Sequence, residues 1–230
     1  MIVAREPESH VRMCRTAAAE VAVVEWKLVK PKHLPNDVFD WIIGEDEPEA
    51  AMLLAHDTAW ALLDRVRANP AIVDRVLAHA REGGIDDIAT LWSRAHETTL
   101  AGVLWRLYLL RKAVASDPEM NTHIFQRGME SARTIDPIIV GVAEPISVET
   151  VAQLCDAILT GVFVGDFGAA LDRAWAYSRV MSHGSASLAD DRDSVDDEHA
   201  EALTRRAYRY TQIAESLQRA AARWRSGTLD

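Results

Sequence analysis

The 230-residue chain has little cysteine, few glycines and prolines, and no long apolar run. Its two cysteines, Cys14 and Cys155, match no CxxC or zinc-ligand spacing. That excludes a disulfide-stapled module and suits two reduced thiols in the cytosol, the expected location. No stretch of about 18 uninterrupted apolar residues exists, so no membrane-spanning helix is expected. The most apolar segment, Leu100 to Leu110, is interrupted by Arg106. Residues Met1 to His10 lack the basic end and apolar core of a signal peptide. Hairpin chemistry is missing as well, which argues against strands.

Positive charge is also in short supply. Lys and Arg total 25 against 35 Asp and Glu, a formal net charge of -10. Neither nucleic acid nor an anionic membrane is the expected partner of such a chain. The charge is uneven, however. Between Leu203 and Arg225 stand Arg205, Arg206, Arg209, Arg219, Arg223 and Arg225, with Glu215 the sole acid. A solvated helix face explains them, and RNA binding with Tyr208 and Tyr210 interleaved is the alternative.

No nucleotide loop, GxSxG elbow, HExxH or Glu-x-x-His motif appears. The acidic run Asp190 to Glu201 fails as a calcium loop, because counting from Asp191 puts Val195, Asp196 and Ala202 at positions 5, 6 and 12. No cofactor is expected. His56, His79 and His96 lie on or beside apolar faces. His56 and His96, with Glu97 and nearby carboxylates, are the candidates for a ligand or metal site in a helical-bundle enzyme or binder. Adjacent residues on a helix point about 100° apart, so His96 and Glu97 do not readily share one ion.

What is present is helical periodicity almost throughout. The spacing predicts an all-α bundle of about nine or ten helices. Helices are expected over 9–30 and 36–43, from Pro48 to Ala68, from Ile72 to Arg81, and from Asp86 to Ala95. Others follow over Leu100 to Ala115, capped by Thr98 or Thr99, and over Pro118 to Arg133. The last three are Val148 to Leu159, capped by Ser147, Phe167 to Met181, and a long one from Ser194 to Trp224. Leu104, Trp105, Leu107, Tyr108, Leu109 and Leu110 surround their helix, which places it at the bundle centre. The chain divides into an N-terminal bundle (1–133), a connecting segment (134–147) and a C-terminal hairpin with the long helix (148–230), expected to form one continuous domain. His183 to Ser187 and Asp190 to Glu198 read as a mobile loop.

Gly165-Asp-Phe-Gly-Ala-Ala-Leu171 resembles the turn between the two helices of a tetratricopeptide repeat. The resemblance covers about 30 residues, with Gly161 where that repeat has a large aromatic. No 34-residue period accompanies it, so it is read as an ordinary helical hairpin.

The strongest pattern is a seven-residue repeat in the last helix. Ala200, Ala207, Ala214 and Ala221 share one position, and Leu203, Tyr210, Leu217 and Trp224 the position three residues on. Such a repeat makes a narrow seam for one partner helix. That partner is either another helix of this chain or a helix of a second subunit or different protein. The functional expectation is a non-catalytic protein that self-associates, as a homodimer, or binds a protein partner through this helix. Seven tryptophans are spread along the chain, most on core stripes.

Overall fold

The computed structural model describes residues 48–64, 70–80, 84–135, 146–191 and 197–230. Among these there is no strand. The eight helices are α1 (Pro48–Leu63), α2 (Pro70–His79), α3 (Ile85–Trp92), α4 (Leu100–Ser116), α5 (Pro118–Ile135), α6 (Val148–Leu159), α7 (Phe167–Asp190) and α8 (Asp197–Arg225). Each corresponds to one helix expected from periodicity. The helices expected over 9–30 and 36–43 lie outside the described residues, as do most of the connecting segment, Cys14, Trp26, Trp41 and Ser194. No helix among the described residues is long and apolar enough to cross a membrane.

Local chemistry starts the helices where the side chains allow it. Thr99 caps α4, its hydroxyl accepting from the Gly102 N–H at 3.1 Å. Ser147 caps α6 in a reciprocal box with Thr150. Asp166 caps α7 by accepting from the Gly168 and Ala169 N–H groups. Each such cap satisfies donors that the first helical turn leaves without an internal partner.

The α4 helix is central, touching α1, α3, α5, α6 and α8. Leu100, Leu104, Leu107 and Leu110 are fully buried along it. Burying a leucine contributes roughly 1.5–3 kcal/mol. Asn121 of α5, itself buried, donates to the Ala113 and Val114 carbonyls and so closes the C-terminal end of α4. Trp92 of α3 donates through Nε1 to the Thr58 hydroxyl of α1 at 3.0 Å. One apolar cluster runs from Ala55 in α1 to Leu229 beyond α8.

The expected loop at His183 to Ser187 is instead part of α7, which continues unbroken to Asp190. The reason is packing. A Cβ on Gly184 would lie 2.0 Å from the Ile124 carbonyl oxygen, and one on Gly128 would lie 2.0 Å from the Val180 carbonyl oxygen. The two contacts are reciprocal, as they must be where antiparallel α5 and α7 cross. Small residues there bring the backbones together. They do not loosen them. Buried Ser178 and Ser185 return their hydroxyls to the carbonyls four residues back, so neither is left unpaired.

Gly→Ala in a helix interior ordinarily stabilises, by about 0.5–1 kcal/mol. At this crossing the sign reverses. Gly128→Ala and Gly184→Ala should each destabilise by roughly 1–3 kcal/mol through overpacking, measured by urea unfolding. The double variant should depart from additivity, because both changes strain one contact.

Candidate interaction surface

Charge and sequence both favour α8 as a helix. Asp197 and Glu198 occupy its first turn and Arg223 and Arg225 its last, each sign matching the local end of the helix dipole. Gly227, at φ +68°, ends it. The Gly227 N–H donates to the Trp224 carbonyl and the Thr228 N–H to the Arg223 carbonyl, a Schellman closure. The turn buries Leu229 and sets the Asp230 backbone oxygen 2.5 Å from the Leu100 N–H at the head of α4.

The heptad seam faces α7 of the same chain. Phe167 meets Trp224 edge-on at 5.0 Å, Tyr177 meets Tyr210 edge-on at 6.5 Å, and the Ser182 hydroxyl donates to the Ala207 carbonyl at 3.0 Å. As the α7 number rises the α8 number falls, so the pair is antiparallel. Ala200, Leu203, Ala207, Tyr210, Ala214, Leu217 and Ala221 are all buried. Trp224 is half-buried, stacked on Trp60 of α1 with ring centres 6.0 Å apart. The repeat therefore marks a tight helix pair, and the partner within it is α7. Any docking on α8 uses another face.

The other candidate residues go to separate places. His56 lies half-buried, its ring 6.2 Å from Trp60 and its Nδ1 3.9 Å from the Asp230 carboxylate. His96 sits in the α3–α4 turn, where its Nδ1 accepts from the Thr98 N–H at 3.3 Å and lies 2.8 Å from the Thr98 hydroxyl. Glu97 bridges Arg106 of α4 at 3.4 Å and Arg219 of α8 at 3.3 Å. Burial lowers the Arg106 pKa, and the charge of Glu97 works to restore it. Glu97 thus ties α8 to the head of α4. Among the described residues, no three His, Cys, Asp or Glu side chains gather closely enough to hold a metal ion.

At the seam and behind it is a grouping that no local sequence signal announces. Tyr177 and Tyr210 are buried, and their hydroxyls find no hydrogen-bond partner among the described residues. Cys155 of α6, a buried free thiol, bears on Tyr177 electrostatically. Burial pushes the Tyr210 phenol up to about 12, with Arg206 pulling the other way. It pushes the Cys155 thiol up to about 12 as well, Asp156 adding to the rise. Tyr177 moves in the same direction, first through burial and then through Tyr210 and Cys155.

The opposite side of α8 is open. Glu201, Arg205, Tyr208, Gln212, Glu215 and Arg219 follow one another at steps of four and three, and all are exposed. Tyr208 is 64% exposed, unusual for a large ring. Within the chain, Glu201 holds Arg205 at 3.3 Å, and Gln212 Nε2 donates to the Tyr208 hydroxyl at 3.0 Å. The same seven-residue spacing that marks the seam marks this second stripe. It is visible in the sequence once the exposed positions are read as a series rather than as a count of arginines. Comparison with known protein families, curated proteins and solved structures gave no match.

A buried phenol with no partner costs the fold about 1–3 kcal/mol. Tyr210→Phe should therefore be at least as stable as wild type at pH 7, by up to ~1 kcal/mol. Because the folded pKa of Tyr210 stands above its ordinary 10.0, the group leaves stability unchanged with pH below 10 and lowers it as pH rises from 10 toward 12. Denaturant titrations at pH 7 and pH 11 should show a smaller alkaline loss for Tyr210→Phe. An equal loss in both proteins would contradict this assignment.

Proposed function

We propose that this chain acts by association, docking a protein partner on the outward face of α8. The observation that carries the reading is the division of labour on that helix. Its seam is filled from within the chain, while Tyr208 and the charged residues around it stand exposed in a regular series. An exposed tyrosine flanked by arginines is the residue mixture that concentrates binding energy at protein interfaces. The buried free thiol of Cys155 suits a reducing, cytosolic setting.

The other uses draw less support. Glu97, one of the residues for a ligand site with His56 and His96, is engaged by Arg106 and Arg219. RNA binding by the arginines is opposed by the overall charge of -10 and by the acids interleaved along the exposed series.

A photo-crosslinking amino acid at position 208 should give one protein adduct of defined mass in the cells that make the protein. The same group at position 164, where Val164 is 96% exposed and far from α8 in sequence, should not. Equal labelling at the two positions, or an adduct consisting of nucleic acid, would sink the reading.

A further inference from the structure

The exposed series on α8 is self-complementary when read backwards. From N to C it runs Glu201, Arg205, Tyr208, Gln212, Glu215, Arg219. Two copies laid side by side in opposite directions, about a two-fold axis level with residue 210, bring together positions whose numbers sum to 420. Glu201 then faces Arg219 of the other copy, Arg205 faces Glu215, and Tyr208 faces Gln212. The axis repeats all three pairs, so each of the six positions is matched. In the parallel arrangement each position meets its own copy, and all four charged positions meet like charge. An isologous interface demands this kind of self-complementarity.

The series spans 19 residues, about 27 Å at 1.5 Å per step, so it presents a continuous line and not a point contact. Its steps of four and three keep the six side chains on one side of the helix, as a helix–helix contact needs. The in-chain partners are compatible with the pairing. Arg205 and Arg219 already hold Glu201 and Glu97, and a guanidinium has donors enough for a second carboxylate. Gln212 and Tyr208, bonded to each other within one helix, can exchange partners across the axis.

We propose that this chain forms an antiparallel two-fold pair with a second copy of itself through the outward stripe of α8, in the register that opposes Glu201 to Arg219 and Arg205 to Glu215. This inference rests on the reading of that face as the docking surface and names its occupant. The contact is a single helix stripe matched mainly by exposed charge, so the dimer is weak and salt-sensitive.

Charge reversal tests it. Sedimentation equilibrium at low salt should show the full-length wild type dimerising reversibly, with dissociation favoured on raising the salt. R205E/R219E makes the stripe all acidic, and E201R/E215R makes it all basic. Each alone should weaken self-association at least tenfold. Mixed together, they should form a one-to-one heterodimer, because every opposed pair is again of unlike charge. Circular dichroism checks that both fold. Should either not, a Cys14→Ser background with Glu201→Cys on one chain and Arg219→Cys on another gives a second test. The mixture should form an intermolecular disulfide faster than either chain with itself. A wild type monomeric to several hundred micromolar, reversed chains that dimerise undiminished, or a mixture that does not pair would each overturn the proposal. If position 208 still crosslinks to a different protein, the docking face survives and only the self-pairing falls.

Discussion

The fold depends on how closely α7 approaches its neighbours. On one side, Gly128 and Gly184 allow the α5 and α7 backbones to meet without intervening side chains. On the other, the alanines of α8 lie along α7 while Tyr210, Leu217 and Trp224 fill the space beside them. A helix held this tightly on two sides has little freedom to shift, since packed interiors behave as solids and not as oil. Everything on the outside of α8 inherits its position from that contact. An exposed series of side chains can keep a stable spacing only if the helix beneath it does not slide.

Polar groups add definition at the edges. Glu97 links the head of α4 to the far end of α8 through two arginines, and the closure after Arg225 delivers the Asp230 carbonyl to the Leu100 N–H. Exposed ion pairs contribute little stability each. Their value here is positional, because they join elements distant in sequence at the rim of a core that is otherwise apolar. The phenols of Tyr177 and Tyr210, without hydrogen-bond partners among the described residues, work against stability, and the core tolerates them because the rings themselves pack well.

Much of the architecture was legible in periodicity. The eight helices of the described residues, a threonine cap at 98 or 99, the Ser147 cap and the central place of α4 all follow from the spacing of apolar residues and their flanking hydroxyls, while the choice of Thr99 needed the structure. The stretch His183 to Ser187 was not, because a run of small polar residues has the same composition whether it is a loop or the site of close backbone contact. Only the opposing chain distinguishes the two. The heptad repeat was plain, yet a repeat specifies that a helix must lie against it and not which molecule supplies that helix. The histidines and Glu97 stand out by residue type, whereas their surroundings depend on contacts between elements distant in sequence. The tyrosines and Cys155 come together from α6, α7 and α8, and no window of sequence contains all three.

The stacking of Trp224 on Trp60 has a kinetic consequence. Its two rings are separated by 163 intervening residues, so the helix that begins the described bundle cannot finish packing until the helix that ends it has arrived. Helical proteins fold fast when their contacts are local, and closing a loop of this length consumes chain entropy before any contact repays it. The α7–α8 contacts, much nearer to one another along the chain, carry a smaller burden of this kind.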